Sequence, residues 1–460
     1  MNIFFSGIAG SGLSAIACFM RDNGHTVSGS DRLFDISPEH PLKRQFQSMD
    51  IDVFPQDGSG INGLIDLLIF STAVEDGHPE LLKAKGLGIR IRNRPEYLIE
   101  LSSRYKTIAI AGTSGKSTTS GLLAFLMSQI GLRPNLICGG RVRQFISERG
   151  LGNHLTGGSD HLIIEACESD GTIIHYKPQH TIILNLSLDH HPISETRWMF
   201  SKLIDNTRGM VFLNADDKDL MEIKNDNSIT FSIHSHSDYR IGEVIYKPFS
   251  TEFVLNGIGF ELPIPGEHNL YNAISCIAFL SEMGIPMSDL AMVLNGFKGI
   301  HRRFDIHLNT ENGLVIDDYA HNPHKILYLM KTMSRIKDSI CYIFQPHGFA
   351  PTRFMKDEYI RVFIDNLRDS DHLILLPIYY TGGTVSRDIS SHDLAREIMA
   401  GGRSVEVIED RLEIFSLLNK WQNYVVFGAR DDSLSTLAKE IAERLQGNSK
   451  VDAGKGKVAR

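Results

Sequence analysis

Two glycine-rich loops and three polar clusters hold the side chains of this sequence that could do chemistry. The most informative is Ala111-Gly112-Thr113-Ser114-Gly115-Lys116-Ser117-Thr118-Thr119-Ser120. A β-branched run, Thr107-Ile108-Ala109-Ile110, leads into it, and Leu122, Leu123, Phe125, Leu126 and Ile130 follow at helical spacing. Strand, glycine loop, lysine, hydroxyl and helix form an arrangement that holds a nucleoside triphosphate. Glycines let backbone N–H groups approach the phosphates, and the helix N-terminus adds partial positive charge. Lys116 can neutralise the β/γ oxygens, and Ser117 can ligate magnesium. The usual loop has a glycine five residues before the G-K pair, where this chain has Ile110.

The other loop, Gly7-Ile8-Ala9-Gly10-Ser11-Gly12, follows the apolar start Ile3-Phe4-Phe5 and opens a helical pattern through Ala15, Ile16 and Phe19. Asp31 ends the next strand pattern 19 positions after Gly12, close to the spacing of about 20 expected for a ribose contact. The glycine order is G-x-x-G-x-G rather than G-x-G-x-x-G. It supports a Rossmann-like domain holding a nucleotide diphosphate without choosing NAD over a UDP-sugar.

Three polar clusters follow strand patterns. Glu168, Asp170, Asp189 and His190 lie downstream of the lysine loop. A carboxylate and an imidazole beside Ser117 suit a divalent ion on phosphate oxygens. Arg302-Arg303-Phe304-Asp305 and Asp317-Asp318-Tyr319-Ala320-His321-Asn322-Pro323 form the second, with paired arginines that could clamp phosphate or form a surface ion-pair site. Gln345-Pro346-His347, with Thr352-Arg353 behind it, is the third. Taken singly, His321 and His347 are each better read as hydrogen-bonded structural histidines than as ligand contacts.

These residues need a scaffold that gathers strand ends. Strand and helix patterns alternate through the 460 residues, which implies α/β layers with mostly parallel sheets and more than one domain. We expect three α/β domains: a Rossmann-like N-terminal domain, a central P-loop ATPase domain with a mostly parallel sheet, and a Rossmann-like C-terminal domain. Their expected bounds are 1–105, 106–297 and 298–446, with a polar, disordered tail over 447–460 and the last helix at roughly Leu434–Leu445. Hydrophobic residues make up 42% and charged residues 22%, with a net charge of −8, so no basic surface for nucleic acid is implied. No apolar run reaches the roughly 18 residues of a membrane span, and the start lacks the basic flank of a signal peptide. The five cysteines form no close pair, so neither a zinc knuckle nor a disulfide framework is suggested and a reducing cytoplasm is expected.

Taken together and in order, the motifs resemble the Mur ligase family, which builds the peptidoglycan peptide stem with ATP. The similarity covers nearly the whole chain. Gly7–Gly12 and Gly29-Ser30-Asp31 are similar to its uridine-nucleotide motifs, and Ala111–Thr119 to its shortened phosphate loop. Glu165–Asp170, Asn185–His190 and Pro265-Gly266-Glu267-His268-Asn269 with Asn272 resemble its central motifs. Arg302–Asp305, Asp317–Pro323 and Phe344–His347 resemble its C-terminal ones.

The resemblance implies roles. Gly112, Thr113, Ser114, Gly115, Lys116, Ser117 and Thr118 would hold ATP phosphates, with His268, Asn269, Asn272, Arg303 and Asp318 contacting the rest of ATP. Ser117, Glu168 and His190 would hold Mg2+. Gly7, Gly10, Ser11, Gly12, Asp31, Ser71, Thr72 and Ala73 would hold the UDP-sugar, and His321, His347 and Arg353 would face the amino acid. Lys116, Glu168, His190 and His321 would carry the catalysis, with His321 or His190 as the base for the amine. The implied reaction joins UDP-N-acetylmuramic acid to L-alanine through an acyl phosphate, in a monomer or homodimer. Gly348 and Pro351 stand where this branch usually carries arginines that would bind an amino-acid carboxylate. A paralogue with another amino-acid or peptide acceptor, of the murein-recycling type, therefore stays open. An NAD-dependent oxidoreductase would leave Lys116 and Glu168 without a role.

Overall fold

The structure is a computed structural model that describes residues 1–188, 191–311, 313–380 and 386–455. The chain packs as two compact units, Met1–Ile300 and His301–Arg460. The first unit contains two large sheets. One has five parallel strands in the order Asp52–Phe54, Thr26–Ser30, Asn2–Ser6, Leu67–Phe70, Arg90–Asn93. Ile3, Phe4 and Phe5 are all fully buried. A strand covered on both faces has no polar side, so its sequence reads as a continuous apolar run rather than an alternation. The chain leaves Asn2–Ser6 toward one neighbour and returns on the other. That reversal opens a crevice at the carboxyl ends, where Ser6, Ser30 and Phe70 lie.

The second sheet of this unit has ten strands. At its centre Lys106–Ala111 lies between the parallel strands His161–Glu165 and His180–Ile183. Ile108, Ala109, Ile110 and Ala111 are buried, as are Leu122, Leu123 and Leu126 of the helix Lys116–Gln129 that follows. This sandwich fixes the loop between strand and helix. The far edge is antiparallel, made by Tyr239–Tyr246, Thr251–Leu255 and Ile258–Leu262. The change from the first sheet to the second falls near residue 105, within one compact unit.

The second unit has a six-stranded sheet ordered Asp305–Thr310, Gly313–Asp318, Asn423–Phe427, Cys341–Phe344, His372–Leu375, Val405–Val407. Only the pair formed by its first edge strand is antiparallel. The strand ends Asp318, Phe344 and Phe427 are neighbours in register, which brings the loops after them together. The last helix runs Ser433–Lys455. This corrects the expected disordered tail: residues 447–455 are helical. Leu434, Leu437, Ala438 and Ile441 dock the helix on the core, and once a helix is nucleated each added residue costs far less than the first turn. Among the described residues no helix is long and apolar enough to cross a membrane.

Candidate active site

The lysine loop is held by its neighbours on both sides. Gly112 and Gly115 have φ +131° and +90°, and Gly115 is the residue before the helix Lys116–Gln129. A Cβ on Gly112 would lie 3.1 Å from Leu184 Cβ, and one on Gly115 would lie 2.4 Å from Asn272 Oδ1. Both glycines are therefore demanded by conformation and by space. The Asn185 side chain clamps Ser114: Oδ1 accepts from the Ser114 N–H at 2.8 Å and Nδ2 donates to the Ser114 carbonyl at 3.0 Å. Thr113 Oγ1 accepts from the Ser187 N–H at 3.0 Å. These bonds set the loop before any ligand arrives.

Lys116 arches back over the loop. Its Nζ donates to the Gly112 carbonyl at 2.6 Å and to Glu168 at 2.9 and 3.3 Å. Glu168 is only 3% exposed. Burial alone would lower the Lys116 pKa, but the Glu168 carboxylate outweighs it and holds the ammonium above its ordinary value. The loop thus presents a fixed positive charge. Ser117 is buried at the first turn of the helix. His190 lies outside the described residues. Among the described residues no group of three or more His, Cys, Asp or Glu is gathered around one point. Mg2+ does not require one, because it commonly takes one or two protein oxygens and completes its shell with phosphates and water. The hydroxyl of Ser117 and the carboxylate of Glu168 are hard oxygen donors of that kind.

His268, Asn269 and Asn272 stand at the start of the helix Glu267–Glu282. The two asparagines are buried. Thr119 Oγ1 donates to Asn272 Oδ1 at 3.1 Å, Asn272 Nδ2 donates to Asn269 Oδ1 at 3.1 Å, and Asn269 Nδ2 donates to the Pro265 carbonyl at 2.7 Å. This relay ties the two helices together behind the loop, so these groups position it. Asn185 was not singled out as a site residue. Its sequence signals are an amide just past a strand next to the loop strand and its place at the head of the Asn185–His190 motif.

In the N-terminal crevice, Gly7 has φ +85°, and a Cβ there would meet Ser71 Cβ at 2.9 Å. Gly10 precedes the helix Ser11–Asp22 and no side chain caps it, so its first N–H groups lack a side-chain acceptor. Ser71, Thr72 and Ala73 follow the neighbouring strand Leu67–Phe70, with the Ala73 N–H donating to Ser71 Oγ at 3.3 Å. Asp31 was expected to reach a ribose. Its two oxygens accept from Leu33 N–H and Ala9 N–H, both at 2.9 Å. It caps one helix and pins the glycine loop to the next strand. Arg94 belongs to none of the sequence motifs. It lies across the start of the first helix, with Cδ 3.3 Å from the Cβ position of Gly12, and pairs with Asp170 at 3.1 Å.

The second unit separates the two arginines. Arg302 is buried, pairs with Asp317 at 3.2 Å and donates to the carbonyls of Asp431 and Gly428. Arg302 and Phe304 both have positive φ, 58° and 53°, a backbone state that a bulky residue holds only when its surroundings impose it. Arg303 between them lies over the Tyr319 ring at 5.6 Å. Asp318 supplies part of that constraint by accepting from Phe304 N–H and Ala320 N–H, both at 2.7 Å. Burial raises its pKa to about 6 against those two bonds. Asp318, like Asp31, spends its oxygens on backbone.

His321 and His347 come together, with ring centroids 5.3 Å apart at 74°. His321 Nδ1 lies 2.8 Å from the Tyr319 carbonyl, which only accepts, so Nδ1 carries the proton and Nε2 the lone pair, which accepts from Lys325 Nζ at 3.5 Å. Burial, then the charges of Lys325 and His347, push the His321 pKa well below its ordinary value. The imidazole is a neutral base. Arg353, expected beside the amino acid, pairs with Asp388 and donates to the Ser386 carbonyl at 3.1 Å.

Comparison with known proteins gives the same order of parts. Residues 2–106 match the Mur ligase family catalytic domain, 110–280 the Mur ligase middle domain, and 302–430 the Mur ligase glutamate ligase domain. A UDP-N-acetylmuramate–L-alanine ligase of Fusobacterium nucleatum is 34% identical over 97% of this chain and 98% of its own length. The chain belongs to the Mur ligase family. It is an ATP-dependent ligase that forms carbon–nitrogen bonds, and its α/β architecture is the three-domain one of these ligases. The corresponding ligase of Persephonella marina is 31% identical over 91% of this chain and 90% of its own. The crystal structure of UDP-N-acetylmuramate–alanine ligase from Thermotoga maritima superposes with a TM-score of 0.81 at 25% identity, over 97% of this chain and all of that one. A murein peptide ligase from Psychrobacter arcticus shares the fold, with a TM-score of 0.68 at 20% identity, over 97% and 98% of the two chains.

Proposed function

We propose that this Mur ligase joins the carboxylate of UDP-N-acetylmuramic acid to the amine of L-alanine, with Mg2+ and ATP, in the cytoplasmic synthesis of peptidoglycan precursors. The observation that carries this reading is end-to-end identity with alanine ligases, 34% over 97% of the chain. A free carboxylate is a poor electrophile because its leaving group would be oxide. Transfer of the γ-phosphoryl group to the sugar carboxylate gives an acyl phosphate, whose phosphate leaves readily. Lys116, held by Gly112 and Glu168, stabilises charge as it shifts among the phosphate oxygens. Ser117 and Glu168 would hold Mg2+, which when bound neutralises triphosphate oxygens. The helix start at Gly10–Gly12, which no side chain caps, would take the diphosphate of the UDP-sugar.

The acceptor amine must lose a proton before it attacks the acyl phosphate. His321 Nε2 carries the lone pair for that step, and its lowered pKa keeps it unprotonated at neutral pH. The tetrahedral intermediate then collapses to an amide and releases phosphate. The test is ADP and phosphate release with UDP-N-acetylmuramic acid, ATP and Mg2+ against a panel of amino acids and stem peptides, with product mass. Turnover with L-alanine well above all others is the expected result. Turnover confined to a peptide or to another amino acid would move the enzyme to a different acceptor.

A further inference from the structure

The loop after His347 lacks a free cation of its own. Arg353 is engaged by Asp388 and by the Ser386 carbonyl. Position 348 is a glycine at φ +71° with Pro351 closed against it, 3.1 Å from its Cβ position. A different cation reaches this loop. The Arg387 guanidinium lies 5.1 Å from the Tyr380 ring centroid and 5.8 Å from that of Phe349, and these rings meet edge-on at 5.3 Å. Among the described residues, Arg387 makes no hydrogen bond or ion pair, and the buried Tyr380 hydroxyl has no partner. The segment is anchored to the histidine: His347 forms a β-bridge with Tyr379, and the Gly348 N–H donates to the Tyr379 carbonyl at 2.9 Å.

We propose that Arg387 and Tyr380 hold the carboxylate of the acceptor amino acid. The inference rests on the reading of an amino-acid ligase given above. An arginine lying on aromatic faces keeps its N–H fork free at the edge while the rings shed water from its faces. That fork matches a carboxylate with two parallel bonds. A buried hydroxyl without a partner costs free energy that a carboxylate oxygen would recover. The amine of the same amino acid is then kept on the side of the loop that carries His347 and, against it, His321.

The experiment compares L-alanine with L-alaninamide, which lacks the anionic carboxylate, in steady-state kinetics of the full chain. Arg387 is exposed, so its replacement leaves the core untouched. Arg387→Ala is expected to raise the KM for L-alanine by about 10- to 100-fold, the loss of one charge-assisted pair, while the KM values for ATP and UDP-N-acetylmuramic acid stay within twofold. The wild-type preference for L-alanine over the amide collapses in the same variant. Arg387→Lys restores part of it, and Tyr380→Phe raises the KM for L-alanine by roughly 3- to 10-fold. A KM for L-alanine within twofold of wild type in Arg387→Ala, or an equal loss with alanine and amide, overturns the proposal. If wild-type enzyme uses only another amino acid, the alanine reading falls, and the same variants with that amino acid and its amide decide the role of Arg387. No turnover with any amino acid overturns both.

Discussion

In the first unit, Lys116, Glu168, Asn185 and Asn272 are bonded to the loop they surround or to one another. In the second unit, the groups around His347 are less mutually satisfied: Arg387 rests on aromatic faces, and the Tyr380 hydroxyl has no partner among the described residues. Chemistry accounts for the contrast. A triphosphate carries its own charge and is met by a pre-set field of N–H groups and one ammonium, which works best when it does not reorganise. A small amino acid brings one carboxylate and one ammonium, and its site must supply a cation for the first and a base for the second; here the base, His321 Nε2, is shared with Lys325 Nζ at 3.5 Å. The phosphate loop is therefore expected to fail all at once when one member is removed, and the acceptor site to fail one function at a time.

Lys116→Ala should give the largest effect, a fall in kcat of about 10³-fold or more in ADP release. It also leaves the Glu168 carboxylate buried and unpaired, at a cost of about 3 kcal/mol in stability. Adding Glu168→Ala should return much of the stability and none of the activity. Recovery of turnover in the double variant would break the picture of a preorganised pair. Gly115→Ala comes next, with kcat/KM for ATP down by about 10²-fold, because the new Cβ meets Asn272 Oδ1 at 2.4 Å and the residue must hold φ +90°. Asn272→Ala in the same chain removes the clash but leaves the left-handed backbone, which costs about 1–2 kcal/mol, so only partial rescue is expected.

On the acceptor side, His321→Gln should lower kcat by about 10²-fold while UDP-sugar and ATP binding, read by calorimetry, stay unchanged. Burial and nearby cations disfavour the imidazolium, so the wild-type acid limb of kcat/KM should lie below the ordinary histidine range. Lys325→Gln removes one of those cations and should move the limb upward. Stability follows the same sign. The unfolded chain takes up the His321 proton at higher pH than the folded one, so this group makes stability fall as pH drops below about 6.5. A limb that does not move in Lys325→Gln would mean that another group sets it.

What could be read from the sequence follows the same divide. The phosphate loop was legible because its demands are local: positive-φ glycines, a lysine and a hydroxyl fall on consecutive residues between a strand and a helix. The gathering of strand ends was legible from alternation alone. The expectation of a ribose contact rests for Asp31 on its spacing after the glycine loop, and the Asp318 role on the family resemblance alone. The sequence carries no sign that nearby backbone N–H groups would take up both oxygens. Asn272 was legible only through its motif, and its relay to Thr119 and Asn269, like the Asn185 clamp on Ser114, is geometry between distant segments that no spacing rule gives. Arg387 lies 40 residues after His347 and reaches that loop only because Tyr379 pairs with it. The paired arginines could be noticed but not ranked until Arg302 was seen buried on Asp317 and Arg303 on the Tyr319 face.

Asp31 is the smallest test and asks whether the pre-set character of the lysine loop extends to the first glycine loop. A carboxylate that caps Leu33 and pins Ala9 acts before ligand arrives, whereas one that holds a ribose acts only on the bound nucleotide. Asp31→Ala should cost about 1 kcal/mol in unfolding free energy, the usual value of a lost cap. It should weaken UDP binding only severalfold, because the loop glycines and helix start remain. Asp31→Ser should recover the cap to Leu33, since a hydroxyl can accept there, but not the longer reach to Ala9. Titration with UDP and with 2′-deoxy-UDP separates the two roles. A positioning residue loses the same factor for both nucleotides. A ribose contact makes wild-type protein favour UDP and removes that preference in Asp31→Ala, and that result would make the first loop resemble the acceptor site rather than the phosphate loop.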